Sequence, residues 1–281
     1  MNSMKNDMAQ YANEIRKSSL KSAFKANLGH PGSDLSCADI VSVLLSKYVH
    51  RNVDSPLNND RNRFVMSKGH AALAYYSALN IRKIIEDHDY DTFSQKYSLL
   101  SGHPASQKID VVEVSTGPLG HGLPIATGMA LAGKMHDSNR KIFVLCGDGE
   151  MQEGSNWEAI MFAAHYQLSN LICIVDRNRL QHAMSTENVV SLVRLPEMFK
   201  GFGWDCVVVD GNNVDEIDLT LKRFENDEFL NPLCVIAETQ KGRGVSFMED
   251  HAEWHHKIPS KEQLTTALEE LNELDATRIT L

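Results

Sequence analysis

The stretch K-I-F-V-L-C-G-D-G-E-M-Q-E-G-S-N-W-E-A-I-M-F-A-A-H-Y-Q-L-S-N-L-I-C-I-V-D-R-N-R-L, residues 141–180, decides the fold. Residues 142–146 are a short apolar run with β-branched members, which reads as a buried strand. Trp157, Ile160, Met161 and Ala164 recur at helical spacing and predict a helix over 153–167. Residues 171–175 form a second apolar run. Strand, helix, strand at this length is a βαβ crossover, so the two strands run parallel. Asp148 and Asn178 then emerge together at the carboxyl edge of one sheet, where open α/β sheets bind ligands. A carboxylate and an amide oxygen converging there suit a hard cation such as Mg²⁺, which seldom gets a full protein cage and shares its oxygens with a substrate phosphate. Gly147 and Gly149 let the backbone approach such a phosphate. A Gly-Asp-Gly triplet alone marks only a turn. Here it ends a buried strand, opens a helix, and has an Asn at the end of the next parallel strand.

Outward from this unit, further apolar runs lie at 206–209 and 233–237. Four helix-separated strand candidates indicate an α/β fold, a doubly wound parallel sheet flanked by helices. A helix is expected over 5–27, with Ile15, Leu20, Ala23 and Phe24 on its buried side. Others are expected over 36–49 (Ile40, Val43, Leu44, Tyr48 inward), over 69–85, and over the Gly- and Ala-rich 122–135. Residues 260–274 open with a capping box, Ser260 with Gln263, and carry Leu264, Leu268 and Leu271 on one face. They predict a packed terminal helix. With no internal repeat or low-complexity linker, residues 1–281 are expected to form one domain.

Composition narrows the function. The chain has 281 residues and a formal net charge of −9, which argues against nucleic acid and anionic membranes as partners. Such a field does not attract an anionic cofactor either, so a diphosphate needs local help from a metal, backbone N–H groups and histidines. None of the five cysteines, Cys37, Cys146, Cys173, Cys206 and Cys234, forms a C-x-x-C pair. They read as small buried hydrophobes in a reducing compartment. The N-terminus has no apolar core for a signal peptide and no run approaches transmembrane length, so a cytoplasmic location is expected.

Three of the twelve histidines share a setting. His30 lies in Gly-His-Pro-Gly, His70 in Lys-Gly-His and His103 in Gly-His-Pro, each beside a glycine in or near a predicted turn. Such turns are where functional groups tend to sit. An imidazole offers a donor and an acceptor, suited to sugar hydroxyls, and exchanges protons near neutral pH.

These motifs resemble those of the transketolase family, in particular its N-terminal, diphosphate-binding domain. The similarity rests on A-N-L-G-H-P-G (26–32), R-F-V-M-S-K-G-H-A (63–71), S-G-H-P-A (101–105), S-T-G-P-L-G-H-G-L (115–123), G-D-G-E-M-Q-E-G (147–154) and K-G-R-G-V-S-F-M-E-D-H-A-E-W-H (241–255), in family order over roughly residues 10–260. The resemblance implies thiamine diphosphate as cofactor, with Mg²⁺ or another divalent cation such as Ca²⁺ or Mn²⁺. It implies that Asp148 and Asn178 bind the metal through side chains and Leu180 through its carbonyl. It assigns Gly147, Asp148, Gly149, Asn178 and His70 to the diphosphate, and Gly117 and Leu119 to the cofactor rings. It assigns His30 and His103 to substrate, and His255 to both substrate and diphosphate. Glu153 and Glu158 match acidic family positions, Glu153 with a structural or cofactor-communication role. His121 stands where the family has glutamine and His256 where it often has glycine. His50, His88, His136, His165, His182 and His251 have no motif support and are expected to be surface or structural.

In the family, the glutamate that activates the cofactor lies in a second, pyrimidine-binding domain, downstream of this one. The resemblance therefore implies half an enzyme. The expectation is the N-terminal subunit of a two-chain transketolase, moving a two-carbon ketol unit from a phosphorylated ketose to an aldose. A C-terminal, pyrimidine-binding subunit would be its partner, in a heterotetramer. Two alternatives stand beside it: the α-chain of a 2-oxoacid dehydrogenase-like thiamine enzyme, and a non-catalytic assembly subunit.

Overall fold

The computed structural model describes residues 2–49, 61–182 and 184–279. Its strands in chain order are β1 Arg63–Met66, β2 Ile142–Gly147, β3 Leu171–Arg177, β4 Leu180–Gln181, β5 Met184–Ser185, β6 Asp205–Asp210 and β7 Leu233–Glu238. Five of them form one parallel sheet in the order β1-β2-β3-β7-β6, while β4 and β5 make a small antiparallel ribbon just past β3. The βαβ unit is present: β2 pairs parallel with β3 from Ile142↔Leu171 to Gly147↔Asp176, joined through the helix Gly154–His165.

The sheet has five strands where four were expected. The additional one, β1, is only four residues long, too short to show a period. Successive strand residues face opposite layers. Phe143, Leu145, Ile172 and Ile174 join Phe64 and Met66 in one core. Val144, Cys146, Cys173 and Val175 join Val65 in the other. A sheet covered on both faces needs apolar side chains at every position, which is why its strands read as unbroken apolar runs. Cys37, Cys146, Cys173 and Cys234 are buried and Cys206, on the edge strand, is half-buried; all five are free thiols.

Helix boundaries differ from expectation in three places. The first helix is Asn2–Ala26, and Phe24, expected inward, is 37% exposed, because Leu20 and Ala23 occupy the inward positions of that turn. The segment expected as one helix over 36–49 is Pro31–Ser36, Ala38–Val43 and a π-helical turn Leu44–Tyr48. Ile40, Val43, Leu44 and Tyr48 are nevertheless buried. The Ser36 hydroxyl, at the end of Pro31–Ser36, lies 2.6 Å from Asp176 Oδ2 and 3.1 Å from the Ser33 carbonyl. The expected 69–85 helix begins as a 3₁₀ turn, Gly69–Ala71, and continues as Ala72–Ile81.

The terminal helix runs Lys261–Ile279. Its capping box is formed: Gln263 N donates to Ser260 Oγ at 3.2 Å, and Ser260 N donates to Gln263 Oε1 at 2.9 Å. Among the described residues no helix is long and apolar enough to cross a membrane.

Candidate active site

Four strands deliver their carboxyl ends to one edge. β1 leads into Ser67-Lys68-Gly69-His70, β2 into Asp148, β3 into Asn178, and β7 into residues 239–244. Between them opens a cleft of about 290 Å³. The sequence-predicted residues His70, Gly117, Leu119, Gly147, Asp148, Gly149, Glu153, Asn178, Leu180 and His255 all line it. Gly117 adopts φ +138°, a conformation that favours glycine, and a Cβ there would meet the His103 ring at 3.2 Å.

The floor of the cleft is charged and closed. Lys68, 1% exposed, forms an ion pair with the fully buried Asp176 and donates to the Ser33 carbonyl at 3.4 Å. Thr239 Oγ1 also donates to Asp176. Burial works against both charges, but each partner's charge outweighs it, raising the Lys68 pKa and lowering that of Asp176. A second lysine, Lys241, is equally buried but has no carboxylate bonded to it among the described residues. Its Nζ lies 3.1 Å from Ser33 Oγ and 3.4 Å from His255 Nδ1. Burial, then the neighbouring Lys68 charge, brings its pKa down to about 8. A buried, unpaired cation lining a cleft is a ready counter-charge for an anion.

Asp148 and Asn178 lie side by side at the ends of β2 and β3. Asp148 Oδ1 accepts from Gly149 N at 2.8 Å. Its Oδ2 accepts from Arg179 N at 2.5 Å and from Arg177 Nη1 at 3.2 Å. Burial and the nearby Asp176 raise the Asp148 pKa, and Arg177 opposes them. Asn178 Oδ1 accepts from Leu180 N at 3.1 Å. Asp148, Asn178 and Leu180 all line the cleft and bring oxygen donors to it. Among the described residues there is no cluster of three or more His, Cys, Asp or Glu that could cage a metal. A donor set this sparse suits a hard cation that completes its shell with a ligand's oxygens.

His70 and His255, which line the cleft, belong to a cluster of imidazoles that also holds His30 and His103, which are not among the cleft's lining residues. His30 lies with its ring centroid 5.4 Å from His70, 6.2 Å from His103, 5.3 Å from His255 and 4.8 Å from His256. Burial, reinforced by neighbouring rings and Lys241, pushes His30 and His255 down to about 3. Burial likewise lowers His70, helped by the Lys68 charge, and lowers His103. At neutral pH these four rings are uncharged, each presenting one donor and one acceptor.

His182, expected to be surface or structural, stacks on His255 at 5.1 Å and lines the cleft. The ribbon β4–β5 carries it back over the site, a path that no local sequence pattern announces. His88, His136, His165 and His251 are exposed as expected, and His50 lies outside the described residues. His121 is exposed at the start of the helix Gly122–Met135.

Sequence reasoning passed over Lys68, Glu150 and Lys241 inside motifs it had quoted, and Ser33 immediately after one. Glu150 is 1% exposed and accepts from Ser67 Oγ, from Gly120 N at 3.0 Å and from Gly147 N at 3.0 Å. It thereby ties the ends of β1 and β2 to the 115–121 loop. The available signal was a charged residue one or two positions from a glycine at a strand end.

Residues 7–271 match a protein family described as transketolase, thiamine diphosphate binding domain. One subunit of the apulose-4-phosphate transketolase of Phocaeicola vulgatus is 41% identical over 260 residues, spanning 92% of this chain and 91% of that protein. The protein of the same name from Actinobacillus succinogenes is 41% identical over 245 residues, spanning 87% and 88%. Among solved structures, the transketolase of Campylobacter jejuni aligns with a TM-score of 0.83 at 29% identity, over 97% of this chain and 48% of its own. The chain thus spans about half the length of the solved transketolases it matches.

Proposed function

The chain belongs to the transketolase family through its thiamine diphosphate binding domain, and from that premise we propose that it is the N-terminal subunit of a two-chain transketolase. With a pyrimidine-binding partner chain it transfers a two-carbon ketol unit from a phosphorylated ketose to an aldose, in the cytoplasm. Both relatives from Phocaeicola vulgatus and Actinobacillus succinogenes are named as one subunit of an apulose-4-phosphate transketolase, which supports a separate partner chain and a sugar-phosphate substrate. We further propose that residues 1–281 act as one diphosphate-binding domain and that the complex is a heterotetramer.

The cleft fits the cofactor on its own chemistry. Lys241 supplies an unpaired buried cation, and Asp148, Asn178 and the Leu180 carbonyl supply oxygens for Mg²⁺. Thiamine diphosphate, when bound, would supply the electron sink that transfer of the two-carbon unit needs. The chain's residues do the rest. Lys241, His70 and His255 hold the diphosphate with the metal. Gly117 and Leu119 take the cofactor rings, and Glu153 closes the cleft beside them. His30, His103 and His255 bind sugar hydroxyls, each neutral ring offering one donor and one acceptor.

One observation carries this reading: the His30 ring lies within 6.2 Å of the rings of His70, His103 and His255, beside the cleft that Asp148, Asn178 and Lys241 line. A hydroxyl-rich substrate needs such a cluster. A 2-oxoacid does not, which sets aside the dehydrogenase α-chain. The test is a ketol-transfer assay with Mg²⁺ and thiamine diphosphate, on the chain alone and with a candidate pyrimidine-domain chain. Turnover is expected only in the mixture, and Asp148→Ala should reduce it at least about 100-fold. Full metal-dependent turnover by Asp148→Ala would refute the metal assignment. Cofactor binding with decarboxylation of 2-oxoacids in place of ketol transfer would refute the substrate class.

A further inference from the structure

Asp34 is a fully buried carboxyl close to the site, and nothing described so far uses it. It sits in the short helix Pro31–Ser36, four residues after His30. Its Oδ1 accepts from Ala74 N at 3.0 Å. Its Oδ2 has no partner among the described residues. Ala74 is the third residue of the helix Ala72–Ile81, whose own N-cap position is Ala71 and has no side-chain cap bond. The N–H at this third position is the orphan donor that an N-cap side chain normally takes. An alanine cannot take it, so the cap comes from another element 40 residues away in sequence.

The helix that Asp34 caps is the one that follows His70. The two turns also touch elsewhere. The His30 and His70 rings lie with centroids 5.4 Å apart, and a Cβ on Gly29 would meet Leu73 Cδ1 at 3.1 Å. Asp34 adds a bond from the body of the first segment to the backbone of the helix that the second segment opens.

We propose that Asp34 is a positioning residue that locks the turn carrying His30 and Ser33 to the turn carrying Lys68 and His70. It is fully buried and is not among the residues that line the cleft. It fixes the spacing of groups that do, and its buried acceptor also favours the positive end of the helix. Burial pushes its pKa up to about 7. Oδ1 accepts from Ala74 whether the other oxygen is protonated or not, so the lock survives a change of charge.

The consequence for the cofactor rests on the functional reading above; the lock itself does not. The experiment uses the full chain and the variants Asp34→Ala and Asp34→Asn, which loses the charge but keeps the acceptor. Hydrogen exchange reads the Ala74 amide, and NMR reads the His30 and His70 rings. In Asp34→Ala the Ala74 amide should exchange about five- to tenfold faster and both ring signals should shift. Asp34→Asn should restore both. In the complex with a pyrimidine-domain chain, Asp34→Ala should weaken Mg²⁺–thiamine diphosphate binding about tenfold, and Asn should recover it.

Unchanged exchange and ring signals in Asp34→Ala would overturn the proposal. So would an Asn variant that behaves like the Ala variant. Should Asp34→Ala fail to fold, the Asn variant decides alone: it must keep Ala74 protection and both ring signals. Failure of the wild-type complex to bind the cofactor would instead sink the functional reading, while the exchange data still judge the lock.

Discussion

The floor of the cleft and its histidine wall are built on opposite principles. In the floor, Lys68 and Asp176 neutralise each other, and Ser36 and Thr239 also bond the oxygens of Asp176. Glu150 has its carboxylate oxygens bonded by three separate segments. In the wall, neutral rings lie edge to face, held in an environment that disfavours their charge. The floor is complete before any ligand arrives. In the wall, His255 Nδ1 lies 3.4 Å from Lys241 Nζ, and the rings pack on one another in place of ion pairs. The floor residues Lys68, Asp176 and Glu150 are fully buried, whereas His30, His70 and His255 are half-buried and His103 is exposed.

The largest effect should come from breaking the floor. Lys68→Met leaves Asp176 charged and buried without its partner, a loss of about 3–5 kcal/mol. Urea unfolding would show it as a lower midpoint. Lys241→Met makes the contrast. Lys241 is as buried as Lys68, but folding already disfavours its charge, as the pKa near 8 indicates. Its replacement should leave stability unchanged or slightly higher while weakening diphosphate binding. If both variants lose stability alike, floor and cleft cation are one structural unit and the contrast fails.

The wall is tested by pH. His30 and His255 have folded pKa values near 3, below the unfolded value of 6.5. Their contribution to stability is therefore fully present above pH 6.5 and is lost as pH falls toward 3, because only the unfolded chain takes up the protons readily. The melting temperature should drop steadily from pH 6.5 to 4. His255→Gln removes one of these groups, so its decline should be shallower, by about 1–2 kcal/mol over that range once His255's partial exposure is discounted. A parallel decline in wild type and variant would mean that the ring is not held neutral by the fold.

What the sequence could show follows from sequence distance. Asp148 and Asn178 were legible because one βαβ unit joins them, and its periodicities fix where both strands end. His30, His70 and His103 were marked by their glycines. Lys68 and Asp176 were not legible as a pair. They are 108 residues apart, and a lysine after a serine looks like surface until the neighbouring strand is in place. Lys241 was hidden in the same way inside a Gly-rich loop. β1 escaped because four residues show no period, and His182 because the ribbon β4–β5 turns it back onto His255. Local patterns fix strands, helices and caps; the pairing of buried charges belongs to the topology.

The smallest effect is expected at the terminal helix, where a purely local signal reaches the site through packing. Ser260 and Gln263 cap the helix reciprocally. Leu271 on that helix is buried beside Gly244, and Glu270 accepts from both Ser246 N and Ser246 Oγ at 2.6 Å. The helix thus clamps the K-G-R-G loop, which leads from Lys241 toward His255. Ser260→Ala removes one capping bond at an exposed position and should cost about 1 kcal/mol. That loss should fray the first turn, which lies far from Leu271, so exchange should quicken at Gln263 and not at Ser246. Thermal melting would measure the first effect and amide exchange the second. Faster exchange at Ser246 would mean that the clamp depends on the cap, and that this helix belongs with the floor rather than outside it.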